Sequence, residues 1–124
     1  MVVKGLFFGK GKPVPNFADG ELAYTSFNKV AKMINYRYYG NLEGKTSASE
    51  KHHPTQKPIQ LYEWLLDNYA KQGDKILDTH LGSGSIAIAC HNRGFELTAC
   101  ELDKEYFEAS IKRINQQIAQ QRLF

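Results

Sequence analysis

The chain has 124 residues, 42% of them hydrophobic and 23% charged, with 16 Lys and Arg against 13 Asp and Glu for a net charge of +3. That composition fits one small folded domain, which can bury a core without a disulfide or a metal. Two cysteines without ligand spacing, and no apolar run near the roughly 18 residues of a membrane helix, exclude a disulfide scaffold, a zinc module and a membrane span; a reducing, cytoplasmic setting is expected.

Residues 2–8 read as a strand, broken by Gly9-Lys10-Gly11-Lys12-Pro13. A second strand is expected over 20–27, where Leu22, Tyr24 and Ser26 alternate with Ala23 and Thr25, and a third over 34–39. Residues 40–51 hold Gly, Ser, Thr and charge with little that could pack, and read as a mobile loop. Charge is uneven along the chain. Residues 1–57 carry nine basic and four acidic side chains, a net of +5, while 58–124 carry seven and nine, a net of −2. With Tyr36, Tyr38 and Tyr39 around Arg37, the basic part suits a surface that meets phosphate backbones and stacks on bases, although a solvated face with a few core tyrosines explains it equally well.

Pro58 opens a helix, where its fixed φ and missing N–H are harmless. Leu61, Tyr62, Leu65, Leu66 and Tyr69 then fall on one helical face, and Gly73 ends the segment. Residues 75–79 form a short strand, followed by the turn Leu81-Gly82-Ser83-Gly84-Ser85 and a helix from about Ile86 to Arg93 that stops at Gly94. A strand over 95–100 leads to a last helix, capped by Asp103, whose expected inner face is Phe107, Ile111, Ile114 and Ile118. From Lys75 onward this is a βαβ unit with parallel strands. The chain therefore divides into a basic β and loop segment, 1–52, and a βαβ part, 53–124.

The chemistry concentrates at the glycine turn. Glycines between a strand and a helix let the backbone turn tightly and let a ligand approach the helix N-terminus. Glu101, 23 residues after Asp78, stands at the end of the second strand, where a carboxylate can accept hydrogen bonds from ribose hydroxyls. The unit reads as a site for an adenosine-containing cofactor. No lysine follows Gly84, which argues against a nucleoside triphosphate. Gly82 to Ala87 matches the nicotinamide dinucleotide fingerprint, but Asp78 would set an anion beside the diphosphate. S-adenosylmethionine, with its sulfonium and ammonium cations, suits Asp78 better.

Three ordered motifs carry a resemblance: His53-Pro54-Thr55-Gln56-Lys57-Pro58, then Asp78-Thr79-His80-Leu81-Gly82-Ser83-Gly84-Ser85, then Glu101-Leu102-Asp103-Lys104-Glu105-Tyr106-Phe107. Together with residues 16–30 they resemble the S-adenosylmethionine-dependent DNA amino-methyltransferases, which methylate the exocyclic nitrogen of adenine or cytosine. The similarity is to phage-type members of the circularly permuted beta class, and specifically to their C-terminal half. It implies a partial Rossmann-like α/β fold, an incomplete and largely parallel sheet with flanking helices and an N-terminal β segment.

By this resemblance Thr55 and Lys57 would hold the methionine carboxylate. Asp78, Gly82, Ser83 and Gly84 would line the cofactor path, with His80 beside them where much of the family has Phe, and Glu101 would bind the ribose. The basic segment would face DNA or read its target. The family's base-gripping Asp/Asn/Ser-Pro-Pro-aromatic motif does not occur in the 124 residues, so no catalytic residue is assigned. The isolated chain is expected to bind S-adenosylmethionine without methylating, and to self-associate or pair with a chain that carries the motif. A catalytically inactive DNA-binding or regulatory subunit of the same fold is the alternative, with a NAD-binding oxidoreductase behind it.

Overall fold

Short runs of alternating or β-branched residues close to glycine give strands here, and longer segments with a single apolar face give helices. The structure, a computed structural model, describes residues 3–9, 20–35 and 56–122. The elements in chain order are β1 (Val3–Gly9), β2 (Gly20–Thr25), β3 (Met33–Asn35), α1 (Ile59–Tyr69), β4 (Lys75–Asp78), α2 (Ser85–Arg93), β5 (Glu96–Ala99) and α3 (Lys104–Gln121). They fall into two units, Met1–Ser47 and Ala48–Phe124.

The first unit is a three-stranded sheet in the order β2-β1-β3. β1 runs antiparallel to β2, with a register shift between Lys4 and Leu6, and parallel to β3, with Phe7, Phe8 and Gly9 opposite Met33, Ile34 and Asn35. The second strand ends at Thr25 rather than at residue 27, because the Thr25 hydroxyl accepts the Phe27 N–H at 3.1 Å and turns the chain out of the sheet. Along β2 the Thr25 side is buried and Tyr24 faces out. Of the third strand, expected over 34–39, the structure describes Met33–Asn35, and residues 36–39 lie outside the described residues. The expected loop at 40–51 lies outside the described residues.

In the second unit β4 and β5 are parallel and in register, Lys75 opposite Glu96 and Asp78 opposite Ala99, with α2 between them in sequence as the βαβ reading requires. Ile76, Asp78, Leu97 and Ala99 point to the half-buried face, while Lys75, Leu77, Glu96 and Thr98 point out. Leu66, Ala89 and Cys90 form the centre of the core, against which Ile59, Tyr62, Ile76, Phe95 and Leu97 pack. The buried side of α1 carries Leu61, Leu66 and Tyr69, as its periodicity predicts. Pro58 stands just before the first helical turn, and the helix ends at Tyr69, ahead of Gly73.

One expected face is only half right, since Ile114 and Ile118 are half-buried as expected but Phe107 and Ile111 are not. On α3, Phe107 and Ile111 are 42% and 39% exposed, whereas Ser110 is fully buried and Arg113 and Ile114 are half-buried. The helix meets the glycine turn with Ser110, Arg113 and Ile114. Gly84 has no Cβ, and one built there would lie 2.9 Å from Ile114 Cδ1 and 3.3 Å from Ser110 Cβ.

Candidate functional site

Strand β4 ends at Asp78, and the chain then folds back on itself. The Asp78 Oδ1 accepts the His80 N–H at 2.9 Å, closing a tight turn with the side chain of its first residue. The two strands stay coupled beyond their ends: the Cys100 N–H donates to the Asp78 carbonyl and the Leu81 N–H to the Cys100 carbonyl, each at 2.9 Å. Asp78 and Glu101 are thereby held at the same end of the parallel pair. This is the carboxyl end, where ligands of open α/β sheets sit.

Glu101 does more than end a strand. Its Oε2 accepts the Gly82 N–H at 2.8 Å and its Oε1 accepts the Asp103 N–H at 3.0 Å. One carboxylate thus ties the glycine turn to the start of α3, using charge-assisted bonds on both oxygens. Asp103 in turn caps α3, accepting the Tyr106 N–H at 2.9 Å, as the sequence predicts. Gly82 (φ +57°) and Gly84 (φ +83°) are both left-handed, and Gly84 leads directly into α2. Ser83 between them is buried, and Ser85, the first residue of α2, is 2% exposed.

The remaining expected residues divide. The Lys57 backbone carbonyl accepts the Ser85 hydroxyl at 2.7 Å, so the segment before α1 is drawn to the N-terminus of α2. The buried Gln56 Oε1, next to Lys57, has no hydrogen-bond partner among the described residues. His80 is exposed, with Nδ1 2.8 Å from the Thr79 hydroxyl, a local contact. Thr55 lies outside the described residues. Asp78, Gly82, Ser83, Gly84 and Glu101 are therefore gathered at one end of the sheet, with Lys57 linked to them through Ser85.

Two groups escape a reading of the sequence. Ser85 reads as the end of a glycine turn, yet its hydroxyl is a junction. Arg113 lies ten residues beyond the cap of α3 and reaches the turn with Nη1, 3.0 Å from the Ser83 carbonyl and 2.8 Å from Ser85 Oγ. No signal in the sequence singles out Arg113, because Ser110 and Arg113 share a helical face with the apolar Ile114.

Behind the turn, burial, with a smaller contribution from the Asp78 charge, pushes the Cys90 thiol up from 9.0 to about 11. The group is a neutral core side chain at ordinary pH. Among the described residues no three His, Cys, Asp or Glu side chains cluster as a metal site, and no helix is long and apolar enough to cross a membrane.

Comparison with known proteins shows the family and the fold. The N6_N4_Mtase family model, described as DNA methylase, matches residues 13–112. Type II methyltransferase M.HpaI of Haemophilus parainfluenzae is 34% identical over 67 residues, which are 54% of this chain and 21% of that protein. Type II methyltransferase M2.DpnII of Streptococcus pneumoniae is 33% identical over 83 residues, 67% of this chain and 31% of that protein. The chain thus spans between a fifth and a third of these relatives. Among solved structures, the M1.HpyAVI–SAM complex superposes with a TM-score of 0.68 at 25% identity, covering 92% of this chain and 62% of that one.

Proposed function

The chain belongs to the DNA methylase family, and from that premise we propose that its 124 residues form the S-adenosylmethionine-binding part of an enzyme that methylates an exocyclic amino group of adenine or cytosine in DNA. One observation carries this reading: Asp78 and the Glu101-clamped glycine turn stand together at the carboxyl end of a parallel strand pair.

The residues suit that cofactor. Asp78 has no ion-pair partner among the described residues, which leaves a half-buried carboxylate suited to a cationic ligand. Glu101 is fixed by its backbone bonds in an orientation from which a carboxylate can also accept ribose hydroxyls. Lys57, with Thr55, is assigned to the methionine carboxylate. When bound, the cofactor supplies a methyl group on a positively charged sulfur, which an amino nitrogen accepts with loss of a proton. In this chain Asp78 orients the charged end, the glycine turn admits the nucleoside, and Glu101 fixes its sugar. A diphosphate beside Asp78 would meet an anion, so the nicotinamide reading is not supported.

The DNA role is assigned to the basic segment 1–52, whose eight basic and four acidic side chains give a net charge of +4 that suits phosphate contacts. A target base must leave the duplex stack before its amino group can be reached. No Pro-Pro-aromatic tetrapeptide occurs in the chain to grip that base. The strand pair β4–β5 has no further neighbour among the described residues, and Leu77 and Leu102 are exposed beside it. Both facts support association with further polypeptide, a second copy or a chain that carries the motif. A monomer in light scattering at high concentration would count against that association.

Calorimetric titration tests the cofactor assignment. S-adenosylmethionine and its homocysteine product should bind and NAD should not; binding of NAD alone would reverse the assignment.

A further inference from the structure

The hydrogen-bond directions around Ser85 are fixed by chemistry. A guanidinium only donates, so at 2.8 Å the Arg113 Nη1 must donate to Ser85 Oγ. The single hydroxyl proton of Ser85 is then committed to the Lys57 carbonyl at 2.7 Å. The same Nη1 reaches the Ser83 carbonyl at 3.0 Å and Ser83 Oγ at 3.4 Å. Ser83 Oγ, 3.3 Å from Ser85 Oγ, can in turn only donate to it. One guanidinium on α3 thus binds the centre of the glycine turn and, through one buried hydroxyl, the backbone of Lys57, 28 residues before Ser85.

The Arg113 guanidinium is a fixed cation whose acceptors are the Ser83 carbonyl and Ser85 Oγ. It stands at the N-terminus of α2, where the helix dipole is already positive. The segment that Arg113 anchors through Ser85 includes Lys57, a second cation.

We propose that Arg113 is a positioning residue for the carboxylate end of the cofactor: through Ser85 Oγ it fixes where the backbone of Lys57 stands, and so where the Lys57 ammonium can reach. This rests on the S-adenosylmethionine reading above and adds to it a residue that acts through Ser85 and the backbone of Lys57. It follows that loss of the Arg113–Ser85–Lys57 chain weakens ligands that carry the amino-acid carboxylate and spares those that do not.

Two ligands with the same nucleoside separate these effects. S-adenosylhomocysteine has the carboxylate; 5′-methylthioadenosine lacks it. Calorimetry on the wild type, Arg113→Met, Arg113→Lys and Ser85→Ala should show Arg113→Met and Ser85→Ala losing about tenfold in affinity for S-adenosylhomocysteine, the effect of one buried hydrogen bond. Their affinity for methylthioadenosine should stay within about twofold of wild type, and Arg113→Lys should recover part of the loss, because an ammonium still donates. Ser85→Ala keeps the bond from Arg113 to the Ser83 carbonyl, so it tests the link to Lys57 even where Arg113→Met unfolds. Equal loss for both ligands in Ser85→Ala, or no loss for either, overturns the proposal. A wild type that binds neither ligand overturns the cofactor reading itself, and the inference with it.

Discussion

Asp78 carries two tasks that substitution can separate. Its Oδ1 holds the His80 N–H, and its charge is what a sulfonium would meet. Asp78→Asn keeps an acceptor for the turn and removes the charge, so it should weaken S-adenosylmethionine binding about tenfold with an unchanged thermal midpoint; Asp78→Ala should lower both. A titration beside a melting curve checks the pair. For Glu101 the structure alters the expectation that the sequence supports. A ribose ligand alone would make Glu101→Ala a matter of binding, at about 1.5–3 kcal/mol for a charged hydrogen bond. Because the carboxylate also ties Gly82 to Asp103, the same change should lower the melting temperature of the free protein. The two cysteines behave oppositely. Cys100 is exposed and Cys90 is buried, so a thiol reagent at pH 8 should label one equivalent in the native state and two after unfolding. Burial raises the Cys90 thiol from 9.0 to about 11, so the unfolded chain releases that proton first, and stability should fall as pH rises from 9 towards 11.

The elements were legible where one local rule sufficed. Pro58, Gly94 and Asp103 mark helix ends by backbone chemistry that needs no partner, and all three stand where the sequence predicts. The register of α3 was not legible. Of the regular apolar row Phe107, Ile111, Ile114 and Ile118 only the last two are half-buried, because Gly84 offers a gap that Ser110 and Ile114 enter. That gap belongs to the pairing of two elements, which no single helix records. Gly84→Ala should therefore act twice, through a left-handed φ of +83° and through contact with the movable end of Ile114. A loss of about 1–2 kcal/mol in chemical denaturation is expected, mostly from the backbone. Helices α1 and α2 are also joined by a paired contact from Arg93 to Asp67, at 2.9 and 3.2 Å. Both side chains are more than a third exposed, so a double-mutant cycle should give under about 1 kcal/mol.

At the scale of the molecule, the order strand, glycine turn, helix, strand and acid was enough to place Asp78, Gly82, Gly84 and Glu101 at one end of a parallel pair, because the connection and the pleat leave them nowhere else. What the order could not contain was the far side of the turn. Ser85 and Arg113 look like any helix-start serine and any helix arginine, and only packing reveals that they meet. The family's base-gripping motif does not occur in these 124 residues, so labelled S-adenosylmethionine should transfer no methyl to DNA with this chain alone. The most direct measurement of the central claim is a set of amide proton–nitrogen spectra recorded while S-adenosylmethionine is added. The account predicts shifts concentrated over residues 78–85, at 101–103 and at Lys57; shifts confined to other parts of the chain, or none at saturating cofactor, would contradict it.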